Sequence, residues 1–424
     1  MTVTFPIHGS RVALLGTSLV QQNHFAGDRL IQSSARGWAT WAEVLTHGQL
    51  DITVFYDPLV HPGWEPSGRA GVTRGFTGLN AGVSGQKARD IDNRIADVLA
   101  LDFDLIIVDA GTNDMMVETK EVIQGLRERI VTRLLDAGKV VILLPILARG
   151  TEKWQAGGSE RAKAHWINHK SRSFAARHPR CHVFDWNAPW VDWQSADGVP
   201  NPGFSDDGTH FSVPGAYAVG KELAKYLKGF LAPPTQLRCA RDDRFDPIDN
   251  PLGNLVCHPI GSRPAVLADG SLPGEGTSAI RRICGCADRP GWQEVRFDSG
   301  ACCVKLLYDD FVNPLPAGAW IRASCAVEVD ACDGWRDISL LLQEQAPDGL
   351  TTQALAPFAF GDGSFAPFPQ AAWSGILTTP PIKIKAPAQS LSLSLSLSKV
   401  ASTDTGTIRF FWPDMRQAAS PLRD

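Results

Sequence analysis

Ser18 closes the short apolar run Val12-Ala13-Leu14-Leu15-Gly16-Thr17 and is followed by the polar Gln21, Gln22, Asn23 and His24. A buried strand that stops at a hydroxyl presents it at the carboxyl edge of a sheet, where open α/β sheets place their ligands. Three further stretches carry what that hydroxyl needs to act as a nucleophile. In Asp207-Gly208-Thr209-His210 a spacing of three lets the carboxylate turn back onto the imidazole and fix its tautomer, which leaves the other ring nitrogen for the serine. In Leu79-Asn80-Ala81-Gly82-Val83-Ser84-Gly85 a glycine-rich turn precedes a helical stretch, and its free amides suit a negative oxygen. In Val108-Asp109-Ala110-Gly111-Thr112-Asn113-Asp114 the Asn113 side chain offers an amide hydrogen to the same oxygen.

The chemistry these groups suit together is acyl transfer. A neutral serine is a poor nucleophile, so His210 takes its proton and Asp207 stabilises the resulting imidazolium. The tetrahedral oxyanion then needs preorganised donors, each worth about 3 kcal/mol. The backbone N–H groups of Ser18 and Gly85 and the Asn113 side chain supply them. Each stretch alone has a plainer reading: Asn113 as a cap, Gly82 and Gly85 as loop formers, His210 as a hydrogen-bonded loop histidine. Their order argues for the joint reading, because each follows a strand or precedes the last helix, and a parallel sheet gathers such positions at one edge.

The elements that must do this gathering alternate along the first half of the chain. Strand-like runs occupy residues 12–15, 52–56, 105–109, 140–145 and 182–186. Between them lie amphipathic stretches at helical spacing, such as Ala88, Ile91, Ile95, Val98 and Leu99, or Ile123, Leu126, Ile130, Leu134 and Leu135. Residues 37–45 and 161–174 read as further helices, and a final one spans 217–231 before Pro233-Pro234. Repeated units of this kind imply a parallel sheet covered by helices on both faces. Residues 57–78 read as a long loop rich in Pro and Gly, with His61, Trp64, Arg69 and Arg74, which either walls the active site, as loops of that length often do, or is a plain surface excursion. Trp64 and Arg74 are its candidate substrate-binding residues.

Beyond Pro233-Pro234 the texture changes to a Pro/Gly/Asp-rich passage and then to period two. Alternation is clear at 304–308, 320–329, 338–342, 382–384 and 407–412, and strictest at Leu391-Ser-Leu-Ser-Leu-Ser-Leu-Ser398. Residues 1–232 therefore read as an α/β domain, 233–275 as a linker or irregular segment, and 276–424 as an all-β sandwich of jelly-roll type. Trp292, Trp320, Trp335, Trp373 and Trp412 are either core residues or a sugar-stacking platform.

At 424 residues two domains are expected, and a net charge of −4 argues against a nucleic-acid partner. No apolar run approaches a bilayer-spanning length, and the first residues lack the pattern of a signal peptide. The sequence thus reads as that of a soluble protein, cytoplasmic or a virion or surface component released without a signal peptide. Eight of the nine cysteines fall after residue 238, in spacings such as Cys284-x-Cys286 and Cys302-Cys303 that do not match structural zinc sites. They read as small buried thiols, with disulfides as the alternative.

The blocks Gly16-Thr-Ser18-Leu, Asn80-x-Gly-x-Ser-Gly85, Gly111-x-Asn113-Asp and Asp207-x-x-His210 resemble, in order, the four blocks of the SGNH (GDSL-type) hydrolase family over roughly the first 230 residues. The resemblance implies a flavodoxin-like sheet of five parallel strands, neither metal nor cofactor, and ester hydrolysis through an acyl-serine. It implies Ser18 as nucleophile, Asp207 and His210 as its triad partners, and Ser18, Gly85 and Asn113 as oxyanion donors. The family's usual Asp before the serine is Thr17 here, so the surroundings of Ser18 are in question. Asp206 beside Asp207 is a second ambiguity, which the motif spacing resolves towards Asp207. The expected activity is removal of an O-acetyl or other short acyl group from a polysaccharide. A lipase or general carboxylesterase is the alternative, as is a glycan-binding surface or virion protein with a relic hydrolase domain. The second domain has only a general likeness to carbohydrate-binding modules.

Overall fold

The computed structural model of the chain describes residues 10–55, 78–231, 244–256, 266–267, 279–286, 289–300, 302–312, 314–345, 349–358, 368–385, 390–400 and 402–421. Trp64 and Arg74, with His61 and Arg69, lie outside them, as do Cys239 and Cys257. The chain divides into two compact units. The first takes Met1–Phe25, Arg36–Glu43 and Gln49–Pro233; the second takes Ala26–Ala35, Val44–Gly48 and Pro234–Asp424.

In the first unit a parallel sheet runs in the order Leu50–Asp51, Ser10–Gly16, Leu105–Val108, Val140–Leu143 and Cys181–Val183, with Asn80–Gly82 also paired to Ser10–Gly16. Numbered along the chain, the five successive strands stand in the order 2-1-3-4-5 of flavodoxin-like sheets. Residues 105–108 and 140–143 are buried at every position, which requires cover on both faces. Helices Ala88–Asn93, Ile95–Leu99, Lys120–Asp136 and Ser159–Ala175 pack against one another as one group. Trp38–Leu45, Asn187–Trp190 and Val213–Leu227 form another, in which Trp41 meets Tyr217 edge to face at 5.3 Å.

The strands expected at 140–145 and 182–186 are the shorter Val140–Leu143 and Cys181–Val183, and four other differences from the sequence expectation have a local setting. The second strand is Leu50–Asp51 rather than 52–56, because the Ile52 amide donates to the Glu43 carboxylate and the Thr53 carbonyl accepts the Leu79 amide; Tyr56 lies outside the described residues. Asn80–Gly82 is itself a short strand, in register with Leu14, Leu15 and Gly16. The helical stretch from Ala88 to Leu99 breaks at Arg94, whose backbone leaves helical geometry. The last helix starts at Val213, where the Ser212 hydroxyl accepts the Gly215 amide, and stops at Leu227 rather than 231.

The second unit holds two β-sheets packed as a sandwich. One follows the order Ala279–Cys286, Arg289–Phe297, Gly406–Ala418, Trp320–Val329 and Trp373–Thr378, with Ile382–Lys383 at its side. The other follows Leu30–Ser34, Thr351–Phe358, Trp335–Gln345, Ser390–Lys399, Cys302–Val312 and Val266–Leu267. Leu391, Leu393, Leu395 and Leu397 are fully buried, as their alternation requires. Phe297 of one sheet meets Trp335 of the other edge to face at 5.3 Å. Trp320, Trp335 and Trp373 are buried, so these three serve the core and not an exposed platform; the side chains of Trp292 and Trp412 are outside the described set.

Leu30–Ser34 pairs parallel with Thr351–Phe358, so a segment read as part of the first domain contributes a strand to the second unit. The described part of 233–275 is irregular over 244–256 but docked, with the Leu255 amide donating to the Met415 carbonyl and Val256 buried, and against the expectation of a linker it also supplies the strand Val266–Leu267, paired with Cys302–Val312. Cys181 and Cys332 are free, buried thiols, Cys303 is free and exposed, and Cys325 is buried with its thiol 3.6 Å from the Ala326 and Phe411 carbonyls.

Candidate functional site

The strand Ser10–Gly16 ends where its carbonyl ladder ends, and the chain turns at once into the four-residue helix Ser18–Gln21. So short a helix cannot hold itself together, and its carbonyls find partners elsewhere. Leu19 O accepts from the Trp38 indole at 2.9 Å, while Val20 O accepts from Asn23 Nδ2 at 2.7 Å and Asn80 Nδ2 at 3.1 Å. Close approach of the neighbouring strand fixes it from the other side. A Cβ on Gly82 would lie 2.3 Å from the Gln21 nitrogen, a distance that only glycine avoids.

Thr17 sits where the family has an acid, and its hydroxyl donates to the Asp109 carboxylate at 2.8 Å. The turn is therefore held by an acid supplied from the end of the third strand. Asp109 is fully buried, and burial pushes its carboxyl pKa up, against the Thr17 hydrogen bond and the nearby Arg127 and Arg149 guanidinium groups. Behind this turn His24 is also buried. Asn80 Nδ2 can only donate, so His24 Nδ1 accepts at 3.0 Å, and burial lowers the imidazole pKa to about 3, which keeps it neutral.

His210 reaches Ser18 across the sheet edge: its Nε2 lies 2.9 Å from Ser18 Oγ, and its Nδ1 lies 2.8 Å from Asp207 Oδ2. An ionised carboxylate only accepts, so Nδ1 carries the proton and Nε2 is left to accept the serine hydrogen. The loop is anchored next door, where Phe211 is fully buried against Trp190 at 4.5 Å, and Ser205 Oγ donates to the His210 carbonyl at 2.7 Å. Asp207 Oδ1 accepts the amides of Thr209 at 2.9 Å and His210 at 2.8 Å. Partial burial raises the Asp207 pKa, but these hydrogen bonds and the imidazole outweigh it and hold the carboxyl well below the usual carboxylate range. Asp206 points elsewhere, to Arg36 at 2.8 Å.

The residues read as oxyanion donors lie on three different segments. Neither the Ser18 nor the Gly85 amide donates to any group among the described residues, so both N–H groups are open. Gly85 has φ +77°, a left-handed conformation that a side chain would strain. Asn113 follows Gly111, which has φ +98°, and spends one amide hydrogen on the Gln86 carbonyl at 2.9 Å, leaving its other hydrogen free. Ser18, His210 and Asp207 are thus joined in series, and Asn113 is tied to the residue after Gly85.

Asp109 and Arg149 were not singled out in the sequence. An acid directly after the apolar Leu105–Val108 was a readable signal for the first. Arg149 donates to Thr112 Oγ1 at 2.9 Å, beside Asn113, and nothing in its neighbourhood of the sequence marks it. Among the described residues no cluster of His, Cys, Asp and Glu suited to a metal ion occurs, and no helix is long and apolar enough to cross a membrane.

Residues 14–218 match the model of the GDSL-like Lipase/Acylhydrolase family. No curated protein matches. Among solved structures, a GDSL-like lipase from Bacteroides thetaiotaomicron VPI-5482 is 19% identical, covering 35% of this chain and 73% of that one at a TM-score of 0.31. A carbohydrate esterase family 3 protein from Talaromyces cellulolyticus is 18% identical, covering 52% and 96% at a TM-score of 0.33. A member of the lipolytic protein G-D-S-L family from Veillonella parvula DSM 2008 is 13% identical, covering 52% and 99% at a TM-score of 0.37. Likenesses at these scores carry no weight beside the family match.

Proposed function

Since residues 14–218 belong to the GDSL-like Lipase/Acylhydrolase family and the chain is an ester hydrolase, we propose that Ser18, His210 and Asp207 are the triad through which it cleaves its ester. The observation that carries this reading is the unbroken relay of 2.9 Å and 2.8 Å from hydroxyl to imidazole to carboxylate. His210 Nε2 takes the Ser18 proton as Oγ bonds to the ester carbonyl carbon. The carbonyl oxygen, now an anion, is held by the Ser18 and Gly85 amides and the Asn113 side chain. Collapse expels the alcohol, which leaves with the proton from His210, and an acyl-serine remains. Water then repeats the cycle, losing its proton to His210 and releasing the acid.

The substrate we infer is a short acyl ester, an O-acetyl group, on a polysaccharide. Its support is the openness of the relay: the His210 and Asp207 side chains retain 38% and 45% of their exposure, which suits a bulky, hydrated alcohol better than a buried lipid. Ser18→Ala should lower kcat by about 10⁴-fold or more while the fold is kept. Turnover of acetylated glycans should exceed that of long-chain acyl esters. A strong preference for long chains would sink the deacetylase reading and leave the triad intact.

A further inference from the structure

The three oxyanion donors sit on separate segments, and a hole made of separate segments needs something to hold its parts together. Arg94 lies behind it. Its side chain comes from the break between helices Ala88–Asn93 and Ile95–Leu99, and the residue is 7% exposed. Nη2 donates to the Ala81 carbonyl at 2.7 Å and to the Gly16 carbonyl at 3.2 Å, and Nε donates to Gln86 Oε1 at 2.7 Å. Gly16 is two residues before Ser18, Ala81 is four before Gly85, and Gln86 directly follows Gly85 and accepts Asn113 through its carbonyl.

We propose that Arg94 is the positioning residue of the oxyanion hole: one guanidinium ties the segments that carry Ser18, Gly85 and Asn113 into a single rigid cradle. The inference rests on the triad and oxyanion reading above. A planar fork of fixed donors can reach two strand-end carbonyls and a side-chain amide at once, which a lysine ammonium on a flexible stem cannot do in the same geometry. Burial lowers the Arg94 pKa to about 10, with Asp90 and Asp97 opposing, so the group stays charged at neutral pH. A buried charge is costly unless it is solvated by the protein, and here the carbonyl dipoles at the strand ends do so. The helix break at Arg94 follows from the same demand, since its backbone departs from helical geometry, at φ −104° and ψ 12°, where its side chain reaches the sheet edge.

Loosening such a cradle by a fraction of an ångström weakens stabilisation of the developing oxyanion without touching ground-state binding, and misplacement of about 1 Å can cost about 100-fold. The test compares the full chain with Arg94→Met, Gln86→Ala and Ser18→Ala on p-nitrophenyl acetate, and titrates each with a trifluoromethyl ketone that forms a hemiketal on the nucleophile. Arg94→Met should lose about 10- to 100-fold in kcat with KM within about threefold, and its inhibition constant for the ketone should weaken by a similar factor. Gln86→Ala keeps the backbone carbonyl that Asn113 uses but removes one Arg94 partner. It should lose a smaller factor, about three- to tenfold, in the same two quantities.

Should Arg94→Met fail to fold, Gln86→Ala decides alone. Parental kcat and ketone affinity in the folded variants, or a loss confined to KM, overturn the role of Arg94. Parental activity in Ser18→Ala overturns the triad reading instead, so the two failures are distinguishable.

Discussion

Serine hydroxyls meet β-sheets in two regions of this chain, with opposite results. Ser18 stands just past the carboxyl end of a parallel strand, where the backbone leaves the ladder, and its hydroxyl meets His210 at 2.9 Å. The serines of Ser390–Lys399 stand within an antiparallel ladder, opposite fully buried leucines, and the hydroxyl of Ser394 is buried without a partner among the described residues. The residue type is the same, so position sets what each hydroxyl meets. Strand ends leave backbone amides and side chains aimed at one edge, where groups distant in sequence converge. A strand interior commits its backbone to neighbours and its side chains to one of two faces.

The comparison breaks most sharply at the two serines themselves. Ser18→Ala should lower kcat by about 10⁴-fold or more, whereas Ser394→Ala should leave kcat within about twofold and stability equal or slightly higher, because it removes a buried hydroxyl that makes no hydrogen bond among the described residues. Steady-state rates and thermal melts of both variants read this directly. If Ser394→Ala lost activity as Ser18→Ala does, position would not be the deciding variable.

Next in size is the pair of neighbouring acids. Asp207→Asn should lower kcat by about 10³- to 10⁴-fold, since the amide cannot stabilise an imidazolium or hold the tautomer. Asp206→Asn, whose carboxylate serves Arg36 at the surface, should change kcat by less than about threefold. The reverse ranking would move the triad acid to Asp206.

Smaller again is the effect at Thr17. Thr17→Val keeps the shape but removes the donor to buried Asp109, so it should destabilise the protein by about 1 to 3 kcal/mol, with a loss in kcat of less than about tenfold. Denaturant titration alongside kinetics separates the two. A stability equal to the parent's would show that Asp109 does not depend on Thr17.

Much of the first unit was legible because its candidate groups lie at punctuation points. Gly16, Gly82, Gly85 and Gly111 mark strand ends or turns, and Asp207 and His210 are three residues apart, so the groups could be named before their convergence was visible. The sandwich strands were legible from alternation, most clearly at 391–398. What was hidden depends on long-range pairing. Nothing local in Leu30–Ser34 says that it pairs with Thr351–Phe358, more than 300 residues away. The link from Thr17 to Asp109 spans 92 residues, and the reach of Arg94 to Gly16 spans 78. A cation on the apolar side of the stretch holding Ala88, Ile91, Ile95 and Val98 was the one local sign of it. The tryptophans of the second unit show a different case, where residue type left core and binding platform both open and burial assigns Trp320, Trp335 and Trp373 to the core.

The central claim, that the hydroxyl at the end of the first strand is the nucleophile, is tested most directly by treating the full chain with a fluorophosphonate and mapping the adduct by peptide mass spectrometry. The account predicts one adduct, on Ser18, formed in step with loss of esterase activity and absent from Ser18→Ala. An adduct on another serine that tracks the loss of activity, or undiminished activity once Ser18 is fully labelled, would contradict it.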